Sequence, residues 1–238
     1  MLERFSRTAN LLGDEAVNKL NNSSVAVFGL GGVGGYVVEA LARAGVGRIA
    51  LIDNDTVAES NINRQIIATY STVSKLKTDA FYARLKDINP DVKIDVYNIF
   101  YLKETADQID LSVYDYVVDA IDTVSSKCEV IFRAKSLGKP VISCMGTGNK
   151  LDATLFTVAD ISKTSYCPLA KAVRRGLKAM GIESGVKVVF SKEVPSSVAT
   201  GSDLKGNGYA PSSISYVPGV AGLIMAGEVI LDLVGIKK

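Results

Sequence analysis

A glycine-rich turn near the N-terminus constrains the fold more than any other feature of this chain. Residues 28–35 are Phe-Gly-Leu-Gly-Gly-Val-Gly-Gly, and they follow a short apolar run, Ser24–Phe28, that is typical of a buried strand. A helical pattern covers 33–44 directly afterwards. Glycines at such a junction allow a tight turn and bring backbone amides close to a phosphate at the helix N-terminus. The sequence therefore predicts a strand–turn–helix unit that can bind phosphate.

A carboxylate at the end of the second predicted strand indicates that this phosphate belongs to a nucleotide. The strand covers 48–52, and Asp53 follows it, roughly twenty residues beyond the turn. A carboxylate at that position can accept hydrogen bonds from ribose hydroxyls. The alternative interpretation is a tight strand–helix turn without a ligand. We predict that a nucleotide binds through Gly29, Gly31, Gly32, Gly34 and Asp53.

Strand and helix patterns alternate over the first two-thirds of the chain, as is typical of a parallel sheet covered by crossover helices. The predicted fold class is α/β: a Rossmann-like, mostly parallel sheet with flanking helices, extended by antiparallel strands in the C-terminal third. Predicted strands cover 24–28, 48–52, 92–97, 114–120, 141–144, 153–158 and 186–191, and predicted helices cover 33–44, 76–88, 125–137 and 168–180.

We expect one domain with three parts. An N-terminal helical segment covers 1–22, the nucleotide-binding core covers 23–150, and a half for substrate binding and dimerisation covers 151–238. The stretch 195–215 is rich in Gly, Ser and Pro, a composition with little to bury, and we predict a mobile loop there. That loop either closes over a substrate or is a passive connector.

The absence of histidine from all 238 residues removes several kinds of chemistry. Ser-His-Asp and Cys-His catalysis and histidine metal ligands are excluded. The cysteines, Cys128, Cys144 and Cys167, form no CxxC pair, which excludes a structural four-cysteine zinc site within one chain. Reaction chemistry is left to carboxylates, lysine, arginine, hydroxyls, thiols or a cofactor.

Both ends of the chain bear on its location. The N-terminus lacks the apolar core of a secretion signal, so we expect a cytoplasmic protein. The apolar stretch 217–236 is interrupted by Glu228 and Asp232, one helical turn apart. We predict a core or interface helix there without stable membrane insertion, and peripheral membrane contact is the alternative.

A polar run after the second strand favours ATP over NAD. Asp53-Asn54-Asp55 is followed closely by Ser60-Asn61-Ile62-Asn63-Arg64-Gln65. A dinucleotide site needs the acidic residue but has no evident use for an arginine and two asparagines near the phosphate end. A site that must neutralise a triphosphate does need them.

Several motifs together resemble the adenylation domain of ubiquitin-activating enzymes and their bacterial relatives. They are the glycine turn, Asp55, the run 61–65, Lys77 before a helix ending at Asn89-Pro90, and the sequence Asp-Ala-Ile-Asp at 119–122. Within that superfamily the chain is most similar to the branch that cyclises threonylcarbamoyladenosine beside the tRNA anticodon. The resemblance covers nearly the whole chain, including the segments 4–7, 145–150 and 167–170.

The resemblance implies a reaction and a set of side chains that perform it. A carboxylate would attack the α-phosphorus of ATP to give an acyl-adenylate, with Mg²⁺ held by Asp122 and no zinc. Arg64 and Lys77 would contact the triphosphate. The implied nucleotide-binding side chains are Asp53, Asp55, Asn61, Asn63, Arg64, Gln65 and Lys77. The alternatives are an N-terminal helix cap for Asp122 and ordinary surface charges for Arg64 and Lys77.

An arginine of the N-terminal segment is implied to reach the ATP of a neighbouring subunit, which would make a homodimer obligatory. Arg7 matches the motif better than Arg4. The alternative is that both arginines are surface charges.

A tRNA substrate requires a basic surface. In the predicted helix 168–180, the four basic side chains are spaced i, i+3, i+4 and i+7, so they share one face. They are Lys171, Arg174, Arg175 and Lys178. The alternative is the solvated side of an ordinary amphipathic helix.

Three other functions remain open from the sequence. The chain could adenylate the C-terminus of a ubiquitin-like sulfur carrier, with a sulfur-transfer protein as partner, although the zinc cysteines of such enzymes are missing. It could be an NAD-dependent oxidoreductase, or a non-catalytic scaffold with the same fold. We interpret Cys167 as a small packed side chain, and activation at a helix start is the alternative.

Overall fold

The computed structural model describes residues 3–195 and 212–236. Seven strands form one sheet in the order β3-β2-β1-β4-β5-β7-β6. The strands are β1 Ser24–Phe28, β2 Arg48–Ile52, β3 Lys93–Tyr97, β4 Tyr116–Asp119, β5 Val141–Cys144, β6 Phe156–Asp160 and β7 Lys187–Ser191. The α-helices are α1 Ser6–Leu12, α2 Asp14–Asn21, α3 Gly34–Ala44, α4 Lys77–Ile88, α5 Val124–Ser136, α6 Pro168–Ala179 and α7 Val217–Val234.

All neighbouring strands are parallel except β6 and β7, which are antiparallel. The predicted fold class is therefore confirmed. The strand order reverses at β1, which pairs with β2 on one side and with β4 on the other. In open α/β sheets, ligands bind beyond the carboxyl ends of the strands at such a reversal. The fold places the glycine turn at that point.

The sheet is buried between two helical layers. Val25 and Val27 of β1 point into the core that contains α3, α4 and α7. Ala26 and Phe28 point into the second core, which contains α5 and α6. Burial on both faces explains why the central strand is apolar at every position after Ser24, with no alternation of polar and apolar side chains.

The predicted strand at 153–158 was wrong at its start. Ala153–Leu155 form a 3₁₀ turn, and β6 begins only at Phe156. Asp152 causes the difference, because its Oδ1 accepts a hydrogen bond from the Thr154 amide at 2.8 Å and favours a turn over an extended chain. Most of the loop predicted at 195–215 lies outside the described residues.

The helix α7 lies against α3 and the sheet. A side chain at Gly222 would overlap the Val33 carbonyl, so glycine there permits close approach of the two helices. Lys187 of β7 forms ion pairs with Glu228 at 3.2 Å and Asp232 at 2.7 Å. In the described part of the chain, α7 alone is long and apolar enough to cross a membrane, and half of its length is buried inside the fold.

Candidate functional site: a nucleotide cleft at the sheet reversal

Two glycines allow the phosphate turn to pack directly against neighbouring backbone. Gly29 has a φ of +84°, and a Cβ on it would lie 2.8 Å from the Ala120 carbonyl oxygen. A Cβ on Gly34 would overlap the Gly29 carbonyl oxygen. Neither position has room for a side chain, and Gly29 has the left-handed conformation that glycine adopts without strain. The turn is thus closed by backbone contacts, and α3 begins immediately after it.

Asp53 is tied to this turn by its own side chain. Its Oδ2 accepts from the Leu30 amide at 2.6 Å, and its Oδ1 accepts from the Asp55 amide at 2.8 Å. Burial raises the pKa of Asp53, and this effect is opposed by the positive charge of Lys77 and by the two amides. Each carboxylate oxygen can accept a further hydrogen bond. The geometry therefore suits recognition of ribose hydroxyls.

Two side chains of the run 61–65 lie beside the glycine turn. A Cβ on Gly32 would meet Arg64 Cγ at 3.5 Å, and one on Gly31 would meet Gln65 Nε2 at 3.7 Å. Gln65 is buried, and its Oε1 has no hydrogen-bond partner among the described residues. The structure thus brings together the glycines, Arg64 and Gln65, as the motif predicts.

The two asparagines of that run shape the backbone and orient Arg64. Asn61 Oδ1 accepts from the Ala58 amide at 3.2 Å. Asn63 Oδ1 accepts from Arg64 Nη1 at 2.8 Å, and its Nδ2 donates to the Ser213 carbonyl at 3.1 Å. In this structure both asparagine side chains are therefore already engaged within the protein.

Lys77 begins α4 and points toward the same edge of the sheet. It is 4% exposed, and its Nζ lies 2.7 Å from Asp55 Oδ2. Its amide also donates to the Asp55 carbonyl at 3.0 Å. A buried ammonium with a single carboxylate partner is a compact positive charge, and Asp55 holds it in place.

Asp122 follows β4 and is exposed at the carboxyl edge of the sheet. Its Oδ1 accepts a long hydrogen bond from Thr123 Oγ1, at 3.5 Å. The alternative of a helix cap was wrong, because α5 begins after Thr123 and no side chain caps it. No group of three or more cysteine or acidic side chains within the described ranges could hold a metal unaided. A single free carboxylate fits Mg²⁺, which usually takes one or two protein carboxylates together with phosphate oxygens and water.

A buried ion pair behind Asp122 was not predicted from the sequence. Lys127 Nζ lies 2.8 Å from Asp119 Oδ2, and both side chains are fully buried. Ser143 Oγ donates to the same carboxylate oxygen at 2.5 Å, and Lys127 Nζ donates to the Ile121 carbonyl at 2.9 Å. The pair fixes the loop that carries Asp122. A lysine in an amphipathic helix gives no sequence signal of burial, although Asp119 lay within a recognised motif.

The two N-terminal arginines have different environments. Arg4 pairs with Asp91, donates to Asn89 Oδ1 at 3.0 Å, and lies over the Phe5 ring. Arg7 is exposed, and within the described part of this chain no hydrogen bond or ion pair engages it. Of the two, Arg7 is the one available for a ligand or another subunit.

The segment that carries Arg7 lies far from the glycine turn of the same chain. The Phe5 ring packs 3.3 Å from the Cβ position of Gly45, which follows the C-terminus of α3. That helix has 11 residues, so its two ends are about 16 Å apart at about 1.5 Å per residue. The structure does not bring Arg7 together with the other predicted site residues within one subunit.

The basic face of α6 is less uniform than its spacing suggests. Lys171 and Arg175 are exposed. Arg174 is half-buried, and its Nη1 donates to the Thr164 carbonyl at 3.0 Å. Lys178 pairs with Glu183 at 3.2 Å. Among residues 3–195 and 212–236, two of the four predicted tRNA-binding side chains therefore have no partner, and Arg174 stabilises the turn before the helix.

The three cysteines are buried and reduced. Burial raises the pKa of Cys144 to about 12 and also raises that of Cys128. Cys167 caps α6, where its Sγ accepts from the Ala170 amide at 3.5 Å. None of them has the exposure of a reactive thiol, although Cys167 lies at a helix N-terminus and near Lys150.

Comparison with known proteins agrees with this geometry. The ThiF family matches residues 5–238. The chain is 46% identical to the tRNA threonylcarbamoyladenosine dehydratase of Bacillus subtilis over 98% of this chain and 95% of that protein. It is 37% identical to a Thermus thermophilus sulfur carrier protein adenylyltransferase, but over only 59% of this chain and 52% of that protein.

A solved structure extends the likeness to three dimensions. The Escherichia coli tRNA N6-threonylcarbamoyladenosine dehydratase, crystallised in complex with ATP, matches with a TM-score of 0.90 and 32% identity. The match covers 98% of this chain and 94% of that chain. Together with the family match and the cleft described above, this shows that the chain belongs to the ThiF family of adenylating enzymes.

Proposed function

We propose that this chain uses ATP to dehydrate threonylcarbamoyladenosine in tRNA, through an acyl-adenylate that then cyclises. The observation that carries the proposal is the position of Arg64 and Gln65 beside Gly31 and Gly32, at the sheet reversal. The relative with the same fold was crystallised with ATP. Close relatives carry the name of the dehydratase.

The cleft offers a candidate side chain or backbone group for each part of an ATP site. Asp53 would accept hydrogen bonds from the ribose hydroxyls. The amides of the turn and of the N-terminus of α3 would donate hydrogen bonds to phosphate oxygens. Arg64 and Lys77 would neutralise the triphosphate, with Asp55 orienting Lys77. Asp122 would hold Mg²⁺, which when bound offsets the charge that develops on the leaving pyrophosphate.

The first chemical step needs no general base. The threonyl carboxylate is already ionised near neutral pH. One of its oxygens forms a bond to the α-phosphorus, and the bond from that phosphorus to the bridging oxygen breaks, releasing pyrophosphate. Arg64 and Lys77 would balance the redistributed charge, and the backbone turn would keep the three reacting atoms in line. The absence of histidine is thus compatible with the reaction.

The second step needs no protein nucleophile. The nitrogen or oxygen of the threonylcarbamoyl group attacks the activated carbonyl, and the bond from that carbonyl to the phosphate oxygen breaks. AMP leaves with one oxygen of the original carboxylate, so the nucleoside loses the elements of water although no free water forms. The nitrogen or oxygen loses its proton to solvent. The buried cysteines, of which Cys144 has a pKa near 12, favour this route over a covalent thioester.

We propose further that the active unit is a homodimer in which Arg7 reaches the ATP of the other subunit. The distance between the N-terminal segment and its own glycine turn supports this arrangement, as does the freedom of Arg7. Mixing two inactive variants, Arg7→Ala and Asp122→Asn, should restore about a quarter of wild-type activity, because half of the dimers would be mixed and each would hold one complete site. No recovery after subunit exchange would refute the shared site.

The tRNA would lie across the exposed side of α6, with Lys171 and Arg175 contacting phosphates. Lys178, although paired with Glu183, lies on the same face, and Arg174 would support the helix from behind. A tRNA-modifying enzyme of this kind would work in the cytoplasm. A sulfur-transfer protein is a further candidate partner.

Pyrophosphate exchange tests the function against its rivals. Exchange should require ATP and tRNA carrying threonylcarbamoyladenosine, and neither unmodified tRNA nor a diglycine-tailed carrier protein should support it. Arg64→Ala and Asp122→Asn should each lower the rate about 10²- to 10³-fold without loss of folding. Exchange that depends on the carrier protein would support sulfur-carrier adenylation instead. Unchanged turnover in both variants would favour a non-catalytic scaffold, and tighter binding of NAD than of ATP would favour an oxidoreductase.

A further inference from the structure

Lys150 is a buried cation without an ionic partner in the described structure. It is 3% exposed, and its Nζ donates to the Glu193 backbone carbonyl at 2.6 Å. No carboxylate of residues 3–195 or 212–236 forms an ion pair with it. The Glu193 carboxylate accepts instead from the Leu151 and Asp152 amides, at 2.9 and 3.0 Å. A buried ammonium group is costly unless it is paired, so this side chain is suited to receive an anion.

Burial lowers the pKa of Lys150, and the nearby Glu193 and Cys167 act in the opposite direction. An anionic ligand next to the ammonium would raise that pKa again. The group therefore gains most from a ligand that carries a negative charge.

The turn that carries Lys150 lies beside the nucleotide motif. The Asn149 amide donates to the Ser212 carbonyl at 2.8 Å, and the Ser212 amide donates to Asn149 Oδ1 at 2.8 Å. The next residue, Ser213, accepts from Asn63 Nδ2 at 3.1 Å. Asn149 and Asn63 thus form hydrogen bonds with two consecutive residues, Ser212 and Ser213. Lys150 and Arg64 each follow one of these asparagines, so both belong to the same edge of the protein.

The order of the strands gives Lys150 a defined side of the cleft. Asp53 follows β2, the glycine turn follows β1, and Asp122 follows β4. The turn with Lys150 follows β5, the next strand in that direction. The turn with Lys150 thus lies on the opposite side of the glycine turn from Asp53, the residue proposed to bind the ribose.

We propose that Lys150 binds the threonyl carboxylate of the modified tRNA and holds it for attack on ATP. This inference rests on the proposed function. The ammonium group would pair with the carboxylate oxygen that does not attack. Once the acyl-adenylate forms, the carboxylate charge is gone, so Lys150 acts in substrate recognition and positioning before cyclisation.

A comparison of two ligands tests this assignment. One is an anticodon stem-loop RNA that carries threonylcarbamoyladenosine, and the other carries the same group with a carboxamide in place of the carboxylate. The wild-type protein should bind the carboxylate RNA about 10- to 100-fold more tightly, as expected for a charge-assisted hydrogen bond in a buried site. Lys150→Met should remove this preference, and Lys150→Arg should restore part of it.

The Glu193→Gln variant is the matched control. Lys150 contacts the backbone of Glu193 and not its side chain, so the preference for the carboxylate should persist in this variant. If Lys150 has a purely structural role, Lys150→Met should bind both RNAs more weakly by the same factor and keep the preference for the carboxylate. That result would overturn the proposal. Failure of the wild-type protein to bind either RNA or to act on modified tRNA would instead reject the proposed function.

Discussion

Two groups of strands, β1 with β2 on one side of the cleft and β5 with β7 on the other, build their parts of the cleft in different ways. On the side of β1 and β2, the nucleotide turn is held by backbone contacts at Gly29 and Gly34. It is also held by the hydrogen bond from the Leu30 amide to Asp53. On the side of β5 and β7, side chains join segments that are distant in sequence, as in the contacts of Asn149 with Ser212 and of Lys150 with Glu193. The first side therefore depends on close backbone packing, whereas the second depends on individual side chains.

The relatives differ in how much of this chain they match. A sulfur carrier adenylyltransferase resembles 59% of this chain, whereas the Bacillus subtilis dehydratase resembles 98%. Substitutions on the two sides should accordingly have different consequences.

The largest effect is expected at the glycine turn. Gly34→Ala would push a Cβ into the Gly29 carbonyl oxygen. We expect the free energy of unfolding to fall by about 3 kcal/mol or more, and we expect ATP binding to be lost. Urea denaturation and ATP titration measure the two quantities.

The control for this prediction is Gly227→Ala in α7, where nothing lies within 4 Å of the new Cβ. A helical glycine replaced by alanine should gain about 0.5–1 kcal/mol. If both variants were equally stable, backbone closure would not distinguish the nucleotide side.

A comparable loss of stability, without direct damage to the phosphate turn, is expected where β4 meets β5, at the boundary between the two sides. Lys127→Met would leave Asp119 buried without its partner, at a cost of about 3–5 kcal/mol. Adding Asp119→Asn should recover most of that stability in the same urea experiment. Recovery of stability without recovery of pyrophosphate exchange would show that the pair also positions Asp122. If the double variant were no more stable than Lys127→Met, the buried charge would not be the cause.

The pH dependence of ATP binding probes Asp53. Its carboxylate must be ionised to accept hydrogen bonds from both ribose hydroxyls. Burial raises its pKa above the ordinary value of 3.8. ATP affinity should therefore decrease as the pH falls, and the decrease should begin at a higher pH than for an ordinary aspartate. Asp53→Asn should lower the affinity about tenfold at neutral pH and remove the acidic decrease. An identical pH profile in the variant would assign the titration to another group.

The smallest effects are expected on the acceptor side, at α6. Replacing Lys171 and Arg175 together by alanine should reduce the slope of log affinity for tRNA against log salt by about 1 per residue. The free energy of unfolding should change by less than about 0.5 kcal/mol. Arg174→Ala should instead destabilise the protein by about 1 kcal/mol, because its bonds to Thr164 are lost. An unchanged salt dependence in the double variant would remove α6 from the tRNA surface.

The sequence predicted those features that depend on local pattern. The strands of the parallel sheet, the glycine turn and Asp53 all follow from short segments with a strong physical constraint. The start of β6 was wrong because one Asx turn at Asp152 outweighed an apolar pattern. Local side-chain chemistry of this kind decides where a short edge strand can begin.

Long-range side-chain pairings could not be predicted in the same way. Nothing in the sequence near Lys127 indicates that its charge is buried against Asp119, and nothing near Lys150 indicates its contact with a carbonyl 43 residues away. The spacing in α6 gave a basic face correctly but did not reveal that Arg174 bonds to Thr164. Such contacts depend on the packing of elements that are far apart in the chain.

The most direct test of the account is mass analysis of nucleosides from modified tRNA after incubation with the protein, ATP and Mg²⁺. We predict that threonylcarbamoyladenosine loses the mass of one water while AMP and pyrophosphate accumulate, and that Arg64→Ala slows both changes about 10²- to 10³-fold. An unchanged nucleoside, under conditions in which the protein binds ATP and tRNA, would contradict it.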